Sequence, residues 1–290
     1  MNNFLLPLGL AFIMFAVGLG LRVREFVEVF RAPRGLVAAL GNQILLLPLI
    51  GAALVALYNG RPEFAFGIMI LAACPGGPTS NLLTVLAGGN AALSVSATAL
   101  ASVVGMLSVP LILWGAQAWL LDETTLVTVP PQQILLSVFL VTGLPLMVGM
   151  LLNHLRAGVS DRIRLPARRL ATAAFAFIVV YAFLSQGSVM IRHALDLGPY
   201  VLALNIGTMA LGMLTARLMR LDFADLVAVT MEGGLQNAAL AIFIAVSLFG
   251  VPAMLVPAIM YALLMNITAV GLIAWARSRG SSRAVSYNQP

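Results

Sequence analysis

The chain has 290 residues, of which 61% are hydrophobic and 9% charged, and its mean hydropathy is +1.02. Soluble domains carry about 25% charged residues and could not hide this much apolar surface in one core, so a soluble enzyme, a disordered chain and a DNA-binding protein are excluded despite the net charge of +6. One cysteine (Cys74) and two histidines (His154, His193) exclude an intramolecular disulfide, an all-cysteine metal site and a histidine-rich metal centre, leaving an all-α polytopic membrane protein.

A helix needs about 20 apolar residues to cross the hydrocarbon core. Nine stretches meet that need. The first, 4–21, has no basic leader and no small-residue cleavage site before Arg22, so it reads as a span rather than a signal peptide. The second, 35–57, holds a lone amide, Gln43. The third, 65–87, is interrupted by Cys74-Pro75-Gly76-Gly77-Pro78 and continues with Thr79, Ser80 and Asn81. The fourth, 91–120, carries Ser94, Ser96 and Thr98. The fifth and sixth are 132–153 and 170–190. The seventh, 200–218, holds Asn205, and the eighth, 224–249, contains Glu232-Gly233-Gly234-Leu235-Gln236-Asn237. The ninth, 252–276, carries Asn266 and Thr268. Trp114, Trp119, Trp275, Tyr58 and Tyr200 fall near predicted ends, as interfacial anchors or as ordinary packing residues.

All 16 basic residues are arginine. With nine spans and the N-terminus outside, fourteen arginines fall on one side and only Arg61 and Arg192 on the other. The positive-inside rule assigns the fourteen to the cytoplasm, which makes the C-terminus cytoplasmic, in a plasma membrane of the bacterial inner-membrane kind. The basic balance then matches anionic lipid headgroups, not nucleic acid.

Spans two to four and seven to nine pair as triplets of opposite topology, the inverted repeat common in secondary transporters. Each opens with a buried amide, Gln43 or Asn205, and continues with a diglycine-interrupted helix. Two glycines and two prolines in so few residues cannot continue an α-helix. Unwound backbone at mid-membrane must then face protein, water or a ligand. A plain kink would explain one interruption; two at matching repeat positions point to a binding site.

Nine of the ten acids lie in loops or at predicted helix ends, and Glu232 alone sits well inside a span. Burying a lone carboxylate there costs at least several kcal/mol. It is either protonated and hydrogen-bonded across helices or it holds a mobile cation. Gln43, Ser80, Asn81, Ser94, Thr98, Gln236 and Asn237 offer neutral oxygens, and the carbonyls near Gly233 and Leu235 offer more. An oxygen shell with one carboxylate suits a hard monovalent ion such as Na⁺. Ser96 and Thr84 read instead as interhelical hydrogen bonds.

At Cys74-Pro-Gly-Gly-Pro-Thr-Ser-Asn81, Gly89-Asn90-Ala-Ala-Leu-Ser94 with Thr98, and Glu232-Gly-Gly-Leu-Gln-Asn237, the chain resembles the bile acid:sodium symporter family, over nearly its whole length. The resemblance implies a core of two inverted three-helix units (35–120 and 199–277) against a panel (1–34 and 121–198), with a tail at 278–290. The chain is similar to nine-span rather than ten-span members. The resemblance further implies two Na⁺ sites, one of Ser80, Asn81, Ser94, Thr98 and Glu232, the other of Gln43, Glu232 and Gln236 with the carbonyls of Gly233 and Leu235. It puts an organic anion, bile acid-like or a smaller carboxylate, near Pro78, Thr79, Asn237 and Asn266. Pro78, Leu204 and Met265 depart from residues common among bacterial relatives, all on the substrate side, so substrate identity and oligomeric state stay open.

The expected function is therefore Na⁺-coupled symport by alternating access. A proton-linked or arsenite-type carrier of the same architecture is the alternative, since Cys74 lies beside the first break. An intramembrane enzyme lacks support, because no nucleophile with a base and no second acid is predicted at membrane depth.

Overall fold

The structure, a computed structural model, describes residues 4–21, 33–121 and 128–286, with side chains described as far as residue 279. The expectations for Arg22, Arg24, Glu25, Glu28, Arg31, Asp122 and Glu123, and for the side chain of Arg283, lie outside the described residues.

Every regular element among them is a helix: α1 (Leu5–Gly18), α2 (Pro33–Ala56), α3 (Pro62–Ala73), α4 (Thr79–Leu86), α5 (Ala91–Leu120), α6 (Pro131–Leu155), α7 (Ala157–Arg192), α8 (Ala194–Leu218), α9 (Phe223–Gly234), α10 (Ala238–Leu248) and α11 (Val256–Ser286), the last preceded by a 3₁₀ turn at Pro252–Leu255. Six helices are long and apolar enough to cross a membrane: α2, α5, α6, α7, α8 and the run Pro252–Arg279. Three more, α1, α3 and α10, are apolar but shorter. The molecule is thus an all-α polytopic membrane protein. Its outward faces carry large apolar side chains such as Leu184, Leu195 and Ile267, as a lipid-facing surface requires.

The third and eighth apolar stretches are each two helices. α3 stops at Ala73, where Cys74 turns to extended backbone, and α4 begins at Thr79. α9 stops at Gly234, Leu235 is extended, and α10 begins at Ala238 with Asn237 as its N-cap. These broken segments form the centre of the molecule. Residues Phe64–Ala73, Leu226–Gly234 and Ala238–Phe243 are buried without exception.

Two differences from the sequence reading are physical. The arginine-bearing segment before the sixth stretch is helical: Arg162, Arg164, Arg168 and Arg169 lie on α7, a helix of 36 residues. Hydropathy marks where lipid ends, not where backbone hydrogen bonds end, and Ala, Arg and Leu keep a helix intact in water. At about 1.5 Å per residue α7 is about 54 Å long, well beyond the roughly 30 Å of hydrocarbon. In addition, α2, α6 and α10 each contain a five-residue π-turn, at Asn42–Leu46, Phe139–Gly143 and Ile244–Leu248. Pro48 and Pro145 explain the first two. A proline lacks an N–H and its ring presses on the carbonyl four residues earlier, here Ile44 and Val141, and a widened turn relieves both faults.

α1 packs mainly on α6 and α7. The contact with α6 is backbone to backbone. A Cβ on Gly18 would strike the Leu146 carbonyl, and one on Gly149 would strike that of Phe15.

Candidate ion and substrate site

The two breaks cross and pair with each other. Gly76 and Gln236 form an isolated antiparallel bridge. Gly77 N–H donates to Leu235 O at 2.8 Å, and Asn237 N–H donates to Pro75 O at 2.9 Å. Part of the backbone that the sequence leaves without helical partners is thus satisfied inside the protein. Gly76 permits this approach: a Cβ there would run into Glu232 Oε1.

Each break is also held by an amide from a neighbouring helix, α2 for the first and α8 for the second. Gln43 Nε2 donates to Cys74 O at 2.9 Å, and Asn205 Nδ2 donates to Gly234 O at 2.7 Å. Tyr261 OH donates to the same Gly234 carbonyl at 3.0 Å. Tyr261 has no counterpart in the sequence reading, and nothing in the sequence pattern marks it.

Glu232 lies one turn before the second break and is 1% exposed. Its carboxylate accepts from Ser80 Oγ and Thr98 Oγ1, both at 2.7 Å, and from Ser94 Oγ at 3.5 Å. Ser94 and Thr98 are one turn apart on α5 and present one face. Ser80 sits in the first turn of α4, with Asn81 beside it. Ser94 and Thr98 also approach Asn81 Oδ1, at 2.9 and 3.2 Å. Ser80 Oγ lies 2.8 Å from Gly77 O, and Thr98 Oγ1 lies 3.0 Å from Ser94 O. Three hydroxyls bring one proton each, whereas the oxygens within reach are more numerous. The cluster holds more lone pairs than protons, the electrostatic character of a cation site. None of the ion pairs among the described residues includes Glu232.

Gln43 stands on the π-turn of α2 and meets Gln236 in the second break. Gln43 Nε2 donates to Gln236 Oε1 at 2.7 Å, and Gln236 Nε2 donates to Gly233 O at 3.0 Å. Leu235 O is the acceptor for Gly77 N–H and keeps a lone pair. All nine residues expected around cations therefore stand within or against the crossing.

The residues expected around substrate are less concentrated. Asn237 is 4% exposed and lines a small cavity, with room for about one water, together with Met14, Pro75, Ser102, Gly105, Val138, Thr142 and Leu240. Pro78 and Thr79 lie just past the first break, half-buried, and do not line it. Asn266 Nδ2 donates to Ala262 O of its own helix at 2.6 Å and stands apart from the cavity. Ser96 is buried, and Thr84 Oγ1 donates to Ser94 Oγ at 3.3 Å, so Thr84 supports the cluster from α4. Cys74 is fully buried.

A family model described as the sodium bile acid symporter family matches residues 7–193, well over half of the chain. An uncharacterized sodium-dependent transporter of Bacillus subtilis is 28% identical over 282 residues, which is 96% of this chain and 84% of its own. A probable chloroplastic sodium/metabolite cotransporter of Arabidopsis thaliana is 28% identical over 249 residues, 86% of this chain and 61% of its own. The ileal sodium/bile acid cotransporter of Homo sapiens is 27% identical over 234 residues, 79% and 65% of the two chains. The chain spans less than two thirds of the length of the plant and human relatives.

Proposed function

Because this chain belongs to the sodium bile acid symporter family, a family of sodium-dependent membrane transporters and not of enzymes, we propose that it is a secondary transporter that couples entry of an organic anion to two Na⁺ ions by alternating access. The observation that carries this reading is the buried Glu232 carboxylate, ringed by the hydroxyls of Ser80, Ser94 and Thr98 at the crossing of two broken helices. One Na⁺ binds among Ser80, Asn81, Ser94, Thr98 and Glu232. The second binds among Gln43, Gln236, Glu232 and the carbonyls of Gly233 and Leu235, with the two amides turning their oxygens inward. Two cations against one carboxylate leave a local +1, and a monoanionic substrate neutralises it. Ions and anion then favour each other's binding, and the inward cycle moves one net charge, about 2.3 kcal/mol per 100 mV.

The architecture that goes with this function has nine spans, an outside N-terminus and a cytoplasmic C-terminus. The core is 35–120 with 199–277, and the panel is 1–34 with 121–198. The inverted repeat is supported by the matched roles of Gln43 and Asn205, each an amide donating to a break carbonyl. The panel is supported by the packing of α1 on α6 and α7. Substrate binds between core and panel, beside Asn237, with Pro78, Thr79 and Asn266 reached when the core moves.

Binding of ²²Na⁺ to purified protein tests the reading directly. Wild type is expected to bind it saturably, and Glu232→Gln to lose the binding while staying monodisperse. Undiminished ²²Na⁺ binding in Glu232→Gln rules the assignment out.

A further inference from the structure

Tyr261 is a fully buried tyrosine on α11, and neither a helix end nor the residues assigned to the ions account for it. Its OH donates to Gly234 O at 3.0 Å, and Asn205 Nδ2 donates to the same oxygen at 2.7 Å. These two bonds use both lone pairs of the Gly234 carbonyl, so it has none left for a cation. The carbonyls on either side differ: Gly233 O accepts from Gln236 Nε2 at 3.0 Å and Leu235 O from Gly77 N–H at 2.8 Å. Three polar side chains neighbour the Tyr261 hydroxyl: Asn205, Thr208 and Gln236. Thr208 Oγ1 gives its proton to Asn205 O at 2.9 Å. Asn205 Oδ1 is buried and has no hydrogen-bond partner among the described residues.

The hydroxyl protons here are committed. That of Tyr261 goes to Gly234 O and that of Thr208 to Asn205 O, so both oxygens offer their neighbours only lone pairs. Asn205 Oδ1 adds another acceptor without a donor. Such surroundings attract an N–H and repel a carbonyl. Gln236 meets them with Nε2, which Gly233 O also holds. Its other end, Oε1, is thereby left to Gln43, whose Nε2 reaches it at 2.7 Å. The two ends of an amide have almost the same shape, so packing alone does not choose between them. A flipped Gln236 would press Oε1 against the lone pairs of Gly233 O and Tyr261 and turn its N–H groups towards a cation. Electrostatics therefore sets the orientation, and Tyr261 supplies part of it from a helix that otherwise lends the site no polar group: Asn266 and Thr268 bond carbonyls of α11 itself.

We propose that Tyr261 is a positioning residue for the second Na⁺: its hydroxyl, anchored on Gly234 O, faces the N–H end of Gln236 so that Oε1 is the atom presented to the ion. The inference rests on the two-ion reading above and adds to it a residue that does not itself touch the ion. Asn205 shares the Gly234 carbonyl, so the break keeps a donor when the tyrosine hydroxyl is removed.

The test is ²²Na⁺ titration of the purified full chain, which resolves the two ions by stoichiometry and by Hill coefficient. Wild type is expected to bind two. Tyr261→Phe keeps the ring and its packing and is expected to bind the first ion with wild-type affinity while the second weakens about tenfold, the effect of one well-placed hydrogen bond. Gln236→Ala is expected to weaken the second ion by itself. Adding Tyr261→Phe to it is expected to shift the titration by less than about twofold, because the amide that the hydroxyl orients is gone. A hydroxyl that merely braces the break would weaken both ions together, or would act as strongly in the Gln236→Ala background as in wild type. Either result overturns the inference, as does a Tyr261→Phe protein that binds both ions with wild-type affinity. If wild type binds two ions in those cases, the two-ion reading stands and only the role of Tyr261 has failed. If wild type binds one ion or none, that reading has failed and the inference falls with it.

Discussion

Gly76 and Glu232 share a space that admits one side chain. A methyl group on Gly76 would occupy the position of Glu232 Oε1, which the Thr98 hydroxyl now bonds at 2.7 Å. Gly76→Ala is therefore expected to displace the carboxylate and lower Na⁺ affinity at least tenfold, read by ²²Na⁺ titration. Gly115 on α5 has open space around its missing Cβ, and alanine is the better helix former by about 1 kcal/mol. Gly115→Ala is expected to bind Na⁺ normally and to melt no lower than wild type. A Gly76→Ala protein with wild-type affinity would mean that the carboxylate is free to reposition. Glu232 itself was legible in the sequence because it is an acid where lipid allows none. Its hydroxyl ring was legible for the same reason in a weaker form, since Ser94 and Thr98 repeat at helical spacing. Tyr261 was not, because a tyrosine inside an apolar stretch looks like ordinary packing until its hydroxyl is found on Gly234 O.

Among the elements, the π-turns link ordinary prolines to the site. Pro48 and Pro145 each follow a π-turn that contains a site-facing polar residue, Gln43 in one case and Thr142 in the other. Replacing Pro48 with alanine restores the missing N–H and lets the turn tighten. Gln43 would then rotate away from Gln236 and from Cys74 O. Pro48→Ala is expected to reduce the cooperativity of Na⁺-dependent uptake, with the Hill coefficient falling towards one and the ion site at Ser80 and Thr98 intact. An unchanged coefficient would show that Gln43 does not depend on the widened turn. The breaks were readable from Gly-Gly and Pro, which cannot continue a helix. The π-turns were not, since hydropathy is blind to a turn of five residues in place of four. The walls of the cavity beside Asn237 were hidden for another reason. Met14, Ser102, Val138 and Thr142 come from three separate helices, and each is an unremarked residue in its own stretch.

Across the whole molecule, the apolar exterior and the arginine distribution make the orientation testable. Cys74 is fully buried, so the native chain offers a quiet background for thiol labelling. Arg61→Cys is expected to react with a membrane-impermeant maleimide applied outside intact cells. Arg220→Cys and Arg277→Cys are expected to react only after permeabilisation. The opposite pattern would invert the topology proposed here. The all-helical, membrane-spanning character was readable at this scale because lipid imposes it. The length of α7 was not, since nothing in lipid dictates where a helix ends once it reaches water.

The paired breaks also constrain the order in which the chain can be completed. Gly77 N–H and Pro75 O find their partners on Leu235 and Asn237, which leave the ribosome about 160 residues later. At 5–20 residues per second that is roughly 8 to 32 s. For that interval the first break sits in or near the bilayer with backbone groups that lipid cannot satisfy. The nascent first break must therefore borrow water or a chaperoning surface until the second break arrives, and the ion site cannot assemble before α9 and the residues up to Gln236 have been made.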